Sequence, residues 1–139
     1  MVKMSAENDV DLTIMSSYLQ DATVKVGDMA WLPGRRRFAL MCNRFMWEEG
    51  GSTRHRCRAG LHFEQVTSAK TRGIPQRVKD HVLDLLTVHA TEQDHKVIIR
   101  LAFAGGADVN LEAEILEVHL DDVGEPWETE LVPEHKDDA

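Results

Sequence analysis

The 139-residue chain has no run of roughly 18 apolar residues, so a transmembrane helix is not available. Its first residues, Met1 to Asp11, are polar and acidic and cannot form the apolar segment of a secretory signal. There are only two cysteines, Cys42 and Cys57, and no CxxC pair. That removes a disulfide-built scaffold and leaves a structural zinc site without support. The seven histidines form no HExxH and no pair at helical i, i+4 spacing. A P-loop, a GxGxxG fingerprint and a nucleophile elbow are missing too. No acidic spacing matches a calcium loop, and no basic amphipathic helix suits a membrane surface. The sequence therefore offers no catalytic residue, no metal ligand and no cofactor, and the expected compartment is the cytoplasm.

What is present is ordinary for a globular protein, with 42% hydrophobic and 29% charged residues. The length suits a single domain over residues 1–139, with an ordered core from about residue 8 to 127 and an acidic tail over 128–139. The net charge of −8 is strongly segregated. Residues 1–34 sum to −3, residues 35–79 to +8 and residues 80–139 to −13. A basic middle between acidic ends is either a binding face for anions or a set of basic strands neutralised by acidic neighbours. The acidity of the whole molecule argues against non-specific DNA binding.

Asn8 or Asp9 caps an expected first helix that runs to about Ala22. Period-two alternation then predicts strands over Thr23–Leu32 and Arg37–Trp47, separated by a Pro33-Gly34 turn. After the loop at Glu48 to Ser52, a long strand from near Arg54 is expected to bend at Gly60 and continue towards Arg72. Val82–Thr91 reads as a central strand, although a helix over residues 78–88 is an alternative. Val97 to Phe103 and Val109 to Ala113 alternate as a further pair. The register adopted for them pairs Phe103 with Val109, Leu101 with Leu111 and Arg100 with Glu112. Ile115, Leu116, His119, Leu120 and Val123 predict a closing helix ended by Gly124 and Pro126. The expected fold class is α+β: a mainly antiparallel six-stranded meander curled into a roll or partial barrel, with an N-terminal and a C-terminal helix.

Several strings together resemble an uncharacterised bacterial family, domain of unknown function 2948. They include Leu19-Gln20-Asp21-Ala22, Lys25-Val26-Gly27-Asp28, Arg37-Phe38-Ala39-Leu40 and Asn43-Arg44-Phe45. Arg72-Gly73-Ile74, Phe103-Ala104-Gly105-Gly106, Asp122-Val123-Gly124 with Trp127, and Pro133-Glu134-His135 extend the likeness along nearly the whole chain. The resemblance implies a small, mainly alphaproteobacterial protein. It brings no activity, cofactor or site residue to carry over.

Two features are candidates for function. A hairpin centred on Glu49-Gly50 places Cys42 opposite Cys57, Leu40 opposite Ala59 and Phe38 opposite Leu61. Both thiols then face the core, where cysteine behaves as a small hydrophobe, with a redox pair as the alternative. The same register turns Arg54, Arg56, Arg58 and His62 outward, together with Met41, Asn43, Phe45 and Trp47. The candidate ligand-binding residues are Arg54, Arg56, Arg58, His62, Asn43 and Trp47. Guanidinium groups beside aromatic rings suit an acidic protein surface, single-stranded nucleic acid or a phosphorylated ligand. The face is also open to burial within the protomer or in a homodimer. The leading expectation is a non-enzymatic interaction module that holds an acidic protein partner or a second copy of itself. Binding of RNA, single-stranded DNA or a phosphorylated ligand comes second, and an enzyme without a recognisable motif third. The acidic terminus, including Glu125, Glu128, Glu130, Glu134, Asp137 and Asp138, is a solvated tail or a shield for the basic face.

Overall fold

The computed structural model describes residues 1–130 and Pro133. In chain order the elements are β1 (Lys3–Ala6), α1 (Asp9–Leu19), β2 (Thr23–Lys25), β3 (Met29–Leu32), β4 (Arg37–Phe45) and β5 (His55–Phe63). They continue with β6 (Val66–Arg72), β7 (Val82–Gln93), β8 (Lys96–Phe103), β9 (Asp108–Ala113) and β10 (Val118–Glu128). The strands hydrogen-bond in the order β1-β10-β5-β4-β2-β7-β8-β9-β6, with β3 also on β4. Every pairing among them is antiparallel. Among the described residues the sheet curls but does not close: its path ends at β1 and β6, and β3 has β4 alone as a neighbour. The mainly antiparallel α+β class holds, but with ten strands in place of six and a single helix among the described residues.

The helix begins where the sequence suggests. Asn8 is extended and its Oδ1 accepts from the Asp11 amide at 2.9 Å, while Asp9 and Asp11 complement the positive end of the helix dipole. The helix ends at Leu19, short of Ala22, because the following turn is drawn onto β7. There Asp21 N donates to Leu85 O, and Leu85 N donates to Ala22 O, each at 2.8 Å. Leu12, Met15 and Leu19 are buried, whereas Val10 and Ile14 stay exposed, so the apolar stripe is narrower than the periodicity implied. Thr23–Leu32 is interrupted by a 3₁₀ turn at Val26–Asp28. The basic strand after Arg54 runs unbroken through Gly60. It breaks at Gln65, which has φ 59°, and β6 leaves to pair with β9.

Both expected hairpin registers are displaced by two residues. Cys42 faces Ala59, Leu40 faces Leu61 and Phe38 faces Phe63. Leu101 faces Val109, Ile99 faces Leu111 and Arg100 faces Asn110. A shift of two preserves which side each residue faces, so the buried set is unchanged while the cross-strand partners differ. The second shift follows from a three-residue turn at Ala104–Gly106, closed by Phe103 N on Ala107 O at 2.9 Å, where the expected pairing of Phe103 with Val109 leaves five residues between them. Glu112 consequently meets Lys96 in place of Arg100.

The C-terminal helix is absent, and Val118–Glu128 is a strand. It lies between β1 and β5, so both of its edges hydrogen-bond over residues 118–121. Val118 and Leu120 are buried while His119 and Asp121 face outward. Two ladders of backbone bonds outweigh the single apolar stripe a helix would bury. Gly124, at φ 75°, and Pro126 form a bulge between Val123 and Trp127, a place where a strand tolerates both. Glu128 pairs with His55, and the Thr129 amide donates to Arg54 O. Leu131, Glu134, Asp137 and Asp138 lie outside the described residues.

Candidate functional site

β5 runs between β4 and β10, so its outward side chains share a face with those of both neighbours. Cys57, Ala59, Leu61 and Phe63 are buried, which turns Arg56, Arg58 and His62 to the other side. One row across the sheet reads Val123, Arg58, Asn43, Thr23. The next brings Trp127, Arg56 and Phe45 into line. Trp127 is 42% exposed and Val123 41%.

The arginines are partly held by the protein itself. The Arg58 side chain is 43% exposed, with Nη1 donating to Asn43 Oδ1 at 3.4 Å and Nη2 to Asp28 Oδ2 at 3.3 Å. Both contacts are long, and a guanidinium has five N–H donors, so most of its donor capacity is unspent. Arg56 lies over the Phe45 ring at 5.8 Å and donates to Asn43 O at 3.2 Å. Burial pulls its pKa down, against the opposing charges of Asp21 and Asp84. Arg54 donates to the Gly51 carbonyl. Asn43 is thus the point where Arg56 and Arg58 are fixed. Trp47 is directed elsewhere: its Nε1 donates to Gln20 O at 2.8 Å, and its ring packs on Phe45 at 4.6 Å. Phe45 is buried under Trp47 and Arg56 and is not available to a ligand. Beside Arg58 a groove of about 410 Å³ opens, bordered by Lys25, Asp28, Asn43, Lys79 and Asp80.

His62 stands apart from the arginines, beyond Gly60. Its ring stacks on His119 of β10 at 4.8 Å, and its Nδ1 lies 3.1 Å from Glu64 Oε2. His119 Nε2 lies 3.0 Å from Glu117. Arg37 grips Glu64 through Nε at 2.7 Å and Nη2 at 2.8 Å. Those bonds from Arg37 hold the Glu64 carboxyl below its ordinary range despite some burial. The described residues contain no group of three or more His, Cys, Asp or Glu placed to hold a metal ion.

Behind this face, both thiols are buried and free. Burial pushes each to a pKa of about 12, and for Cys57 a hydrogen bond to the Asp122 carboxylate adds to it. Such thiols are not nucleophiles at neutral pH. Cys57 faces Arg44, whose side chain is fully buried. Arg44 binds Asp122 through Nε at 2.8 Å and Nη2 at 2.7 Å, and Glu48 through Nη1 at 2.9 Å and Nη2 at 2.7 Å. Asp122 also accepts the Val2 amide at 2.8 Å. Burial alone would raise the Asp122 pKa, but the bonds from Arg44 and Val2 hold it down. This ion pair ties β4 to β10 and so sets Trp127 and Val123 against the arginines. The sequence reading passed over it, although a core-facing Cys42 implies by strand parity a core-facing Arg44 that needs a carboxylate. Val123 and Trp127 were missed as well, because residues 115–123 were assigned to a helix.

No helix among the described residues is long and apolar enough to cross a membrane. No curated protein and no solved structure matches the chain. A family model does match, described as a protein of unknown function, DUF2948, and it covers residues 2–135. Spanning nearly the whole chain, that match shows that this protein belongs to the DUF2948 family.

Proposed function

We propose that this protein is a non-enzymatic interaction module whose β4–β5–β10 face holds an acidic segment of a partner protein. The observation that carries the reading is the placement of exposed Trp127 and Val123 directly across from Arg56 and Arg58. Arginine beside tryptophan is the composition that concentrates binding energy at protein interfaces. Arg58 supplies unspent donors for carboxylates, and Trp127 and Val123 supply apolar area to bury. Asp28, Asp80, Asp21 and Asp84 stand close to these cations and would repel an unbroken line of phosphates.

A second reading is supported by the same Trp127–Arg56 pair, which suits a stacked base next to a phosphate. Titration of a peptide of alternating glutamate and leucine, followed at the Arg54–Arg58 amides of ¹⁵N-labelled protein so that only binding at this face is read, with Arg58→Glu and Trp127→Ala as variants, tests the first reading. Saturable binding that falls at least about tenfold in each variant is the expected result. Binding that is indifferent to both substitutions would refute it. Arg58 is preferred to Arg56 for the test, because Arg56 also packs on Phe45 and its reversal would disturb that contact.

A further inference from the structure

The sheet fails to close between β3 and β6, and the opening is not a featureless edge. At one end the two strands are pinned together by Val66 N on Arg36 O at 2.8 Å. At the other, the connection from β6 to β7 crosses over, with Gly27 N on Lys79 O at 2.9 Å. Between these ends lies a slot of about 240 Å³ floored by Met29, Trp31, Phe38 and Ala69. Among the described residues, β3 has only β4 as a sheet neighbour and β6 only β9, so each presents a free backbone edge to the slot.

The residues around the slot specify an occupant. Ala69 and Thr71 oppose buried Leu111 and Val109 and so lie on the side of the slot, Ala69 half-buried and Thr71 exposed at its mouth, while Ser68, Lys70 and Arg72 alternate to the other side. A strand laid along β6 would present alternate side chains to Trp31 and Met29 on one side and to Lys70 and Arg72 on the other. Among the described residues, Arg35, Lys70, Arg77 and Lys79 are exposed and make no ion pair. A charged edge by itself guards against unwanted pairing, but here an apolar slot that reaches the core lies directly behind the edge.

We propose that the slot between β3 and β6 takes up an extended segment of a partner protein in which apolar and acidic residues alternate, paired as an added strand on the free edge of β6. Main-chain hydrogen bonds to Ser68–Arg72 supply affinity, and the alternation supplies selectivity. Asn43, Arg54, Arg56, Arg58 and Trp127 do not line this slot, so the inference stands or falls apart from the hairpin face.

The test uses the full chain, ¹⁵N-labelled, and the peptide Glu-Val-Glu-Leu-Glu-Val-Glu, with a peptide of the same composition in block order as control. The expected result is saturable binding with slowed amide exchange at Ser68–Arg72. The block peptide should bind about tenfold more weakly or worse. Lys70→Glu, on an exposed side chain, should weaken binding by a similar factor without moving the unfolding midpoint. Ala69→Glu should abolish it. Three outcomes would overturn the proposal. One is binding that shifts only Arg54–Arg58 amides. Another is equal affinity for both peptides. The third is β6-edge protection already present without peptide, whether it is lost on dilution (a second copy) or on deletion of residues 131–139.

Discussion

Replacing Asp122 by alanine tests the architecture behind the proposed face. The substitution leaves Arg44, with 0% of its side chain exposed, without its most buried partner and orphans the Val2 amide. Glu48 remains, but its side chain is 27% exposed and compensates only in part. Removing one member of a buried ion pair costs about 3–5 kcal/mol. With a urea m-value of about 2 kcal/mol/M, that loss moves the unfolding midpoint down by about 1.5–2.5 M. Glu48→Ala, at a half-solvated partner, should cost about 1 kcal/mol. The double variant Arg44→Met with Asp122→Leu should be more stable than Asp122→Ala, because it leaves no charge in the fully buried site and the Glu48 carboxylate, with 27% of its side chain exposed, retains access to water. The assay is equilibrium urea unfolding followed by far-ultraviolet circular dichroism. A midpoint shift under about 0.5 M for Asp122→Ala, with m unchanged, would refute the claim that Arg44 is sequestered and depends on that carboxylate.

Further predictions follow from the titrating groups and the helix cap. Asp122, Asp108, Glu48 and Glu64 all have folded-state pKa values held below their ordinary ones. Their contribution is fully present above the unfolded carboxyl pKa of about 4 and is lost as pH falls through the folded values. Urea midpoints should therefore drop below about pH 4, and a midpoint that rises on acidification would contradict the assignment. Cys42 and Cys57 shift the other way, to about 12. The unfolded thiols ionise near pH 8.5 while the folded ones stay protonated, so stability declines from about pH 8.5 upward. At pH 8 a thiol reagent such as dithionitrobenzoate should leave the native protein unmodified and label both cysteines in denaturant; rapid native labelling would show that the thiols are accessible. Asn8→Ala should destabilise by about 1 kcal/mol through loss of the cap on Asp11 N, with Asn8→Asp close to neutral, as read from thermal unfolding.

Facing was legible in the sequence wherever alternation was strict. Cys42 and Cys57 lie inside, and Arg56 and Arg58 outside, because a strand's two faces are set by parity. Register was not legible, since it depends on how each turn closes. The tight three-residue turn at Ala104–Gly106 moved the β8–β9 partners by two without exposing a single core residue. The identity of β10 was hidden for a different reason. Leu116, Leu120 and Val123 satisfy a helical stripe, while Leu116, Val118 and Leu120 satisfy a strand's. Only the presence of β1 on one side and β5 on the other decides between them. β1 itself, four residues with a single buried side chain, carries too little pattern to be seen. The error at β10 propagated to the site, because Trp127 and Val123 become neighbours of the arginines only when that segment is extended. Charge segregation was informative in part. Arg36, Arg37, Arg44 and Arg72 are neutralised by Glu114, Glu64, Asp122 and Asp108, as acidic neighbours to basic strands would do. Arg58 and the cations beside β6 keep much of their capacity free.

The most direct test of the interaction-module reading compares two fluorescein-labelled ligands of similar charge, the alternating glutamate–leucine peptide and a single-stranded RNA octamer, across a salt series. The β4–β5–β10 reading predicts that, followed at the Arg54–Arg58 amides of ¹⁵N-labelled protein, the peptide still binds at about 0.15 M salt, with a shallow salt dependence, and that Trp127→Ala removes binding at those amides. It predicts no saturable RNA binding under the same conditions. Tight RNA binding that weakens steeply with salt and is lost in Arg58→Glu would contradict it, and would make the β4–β5–β10 face a nucleic-acid site.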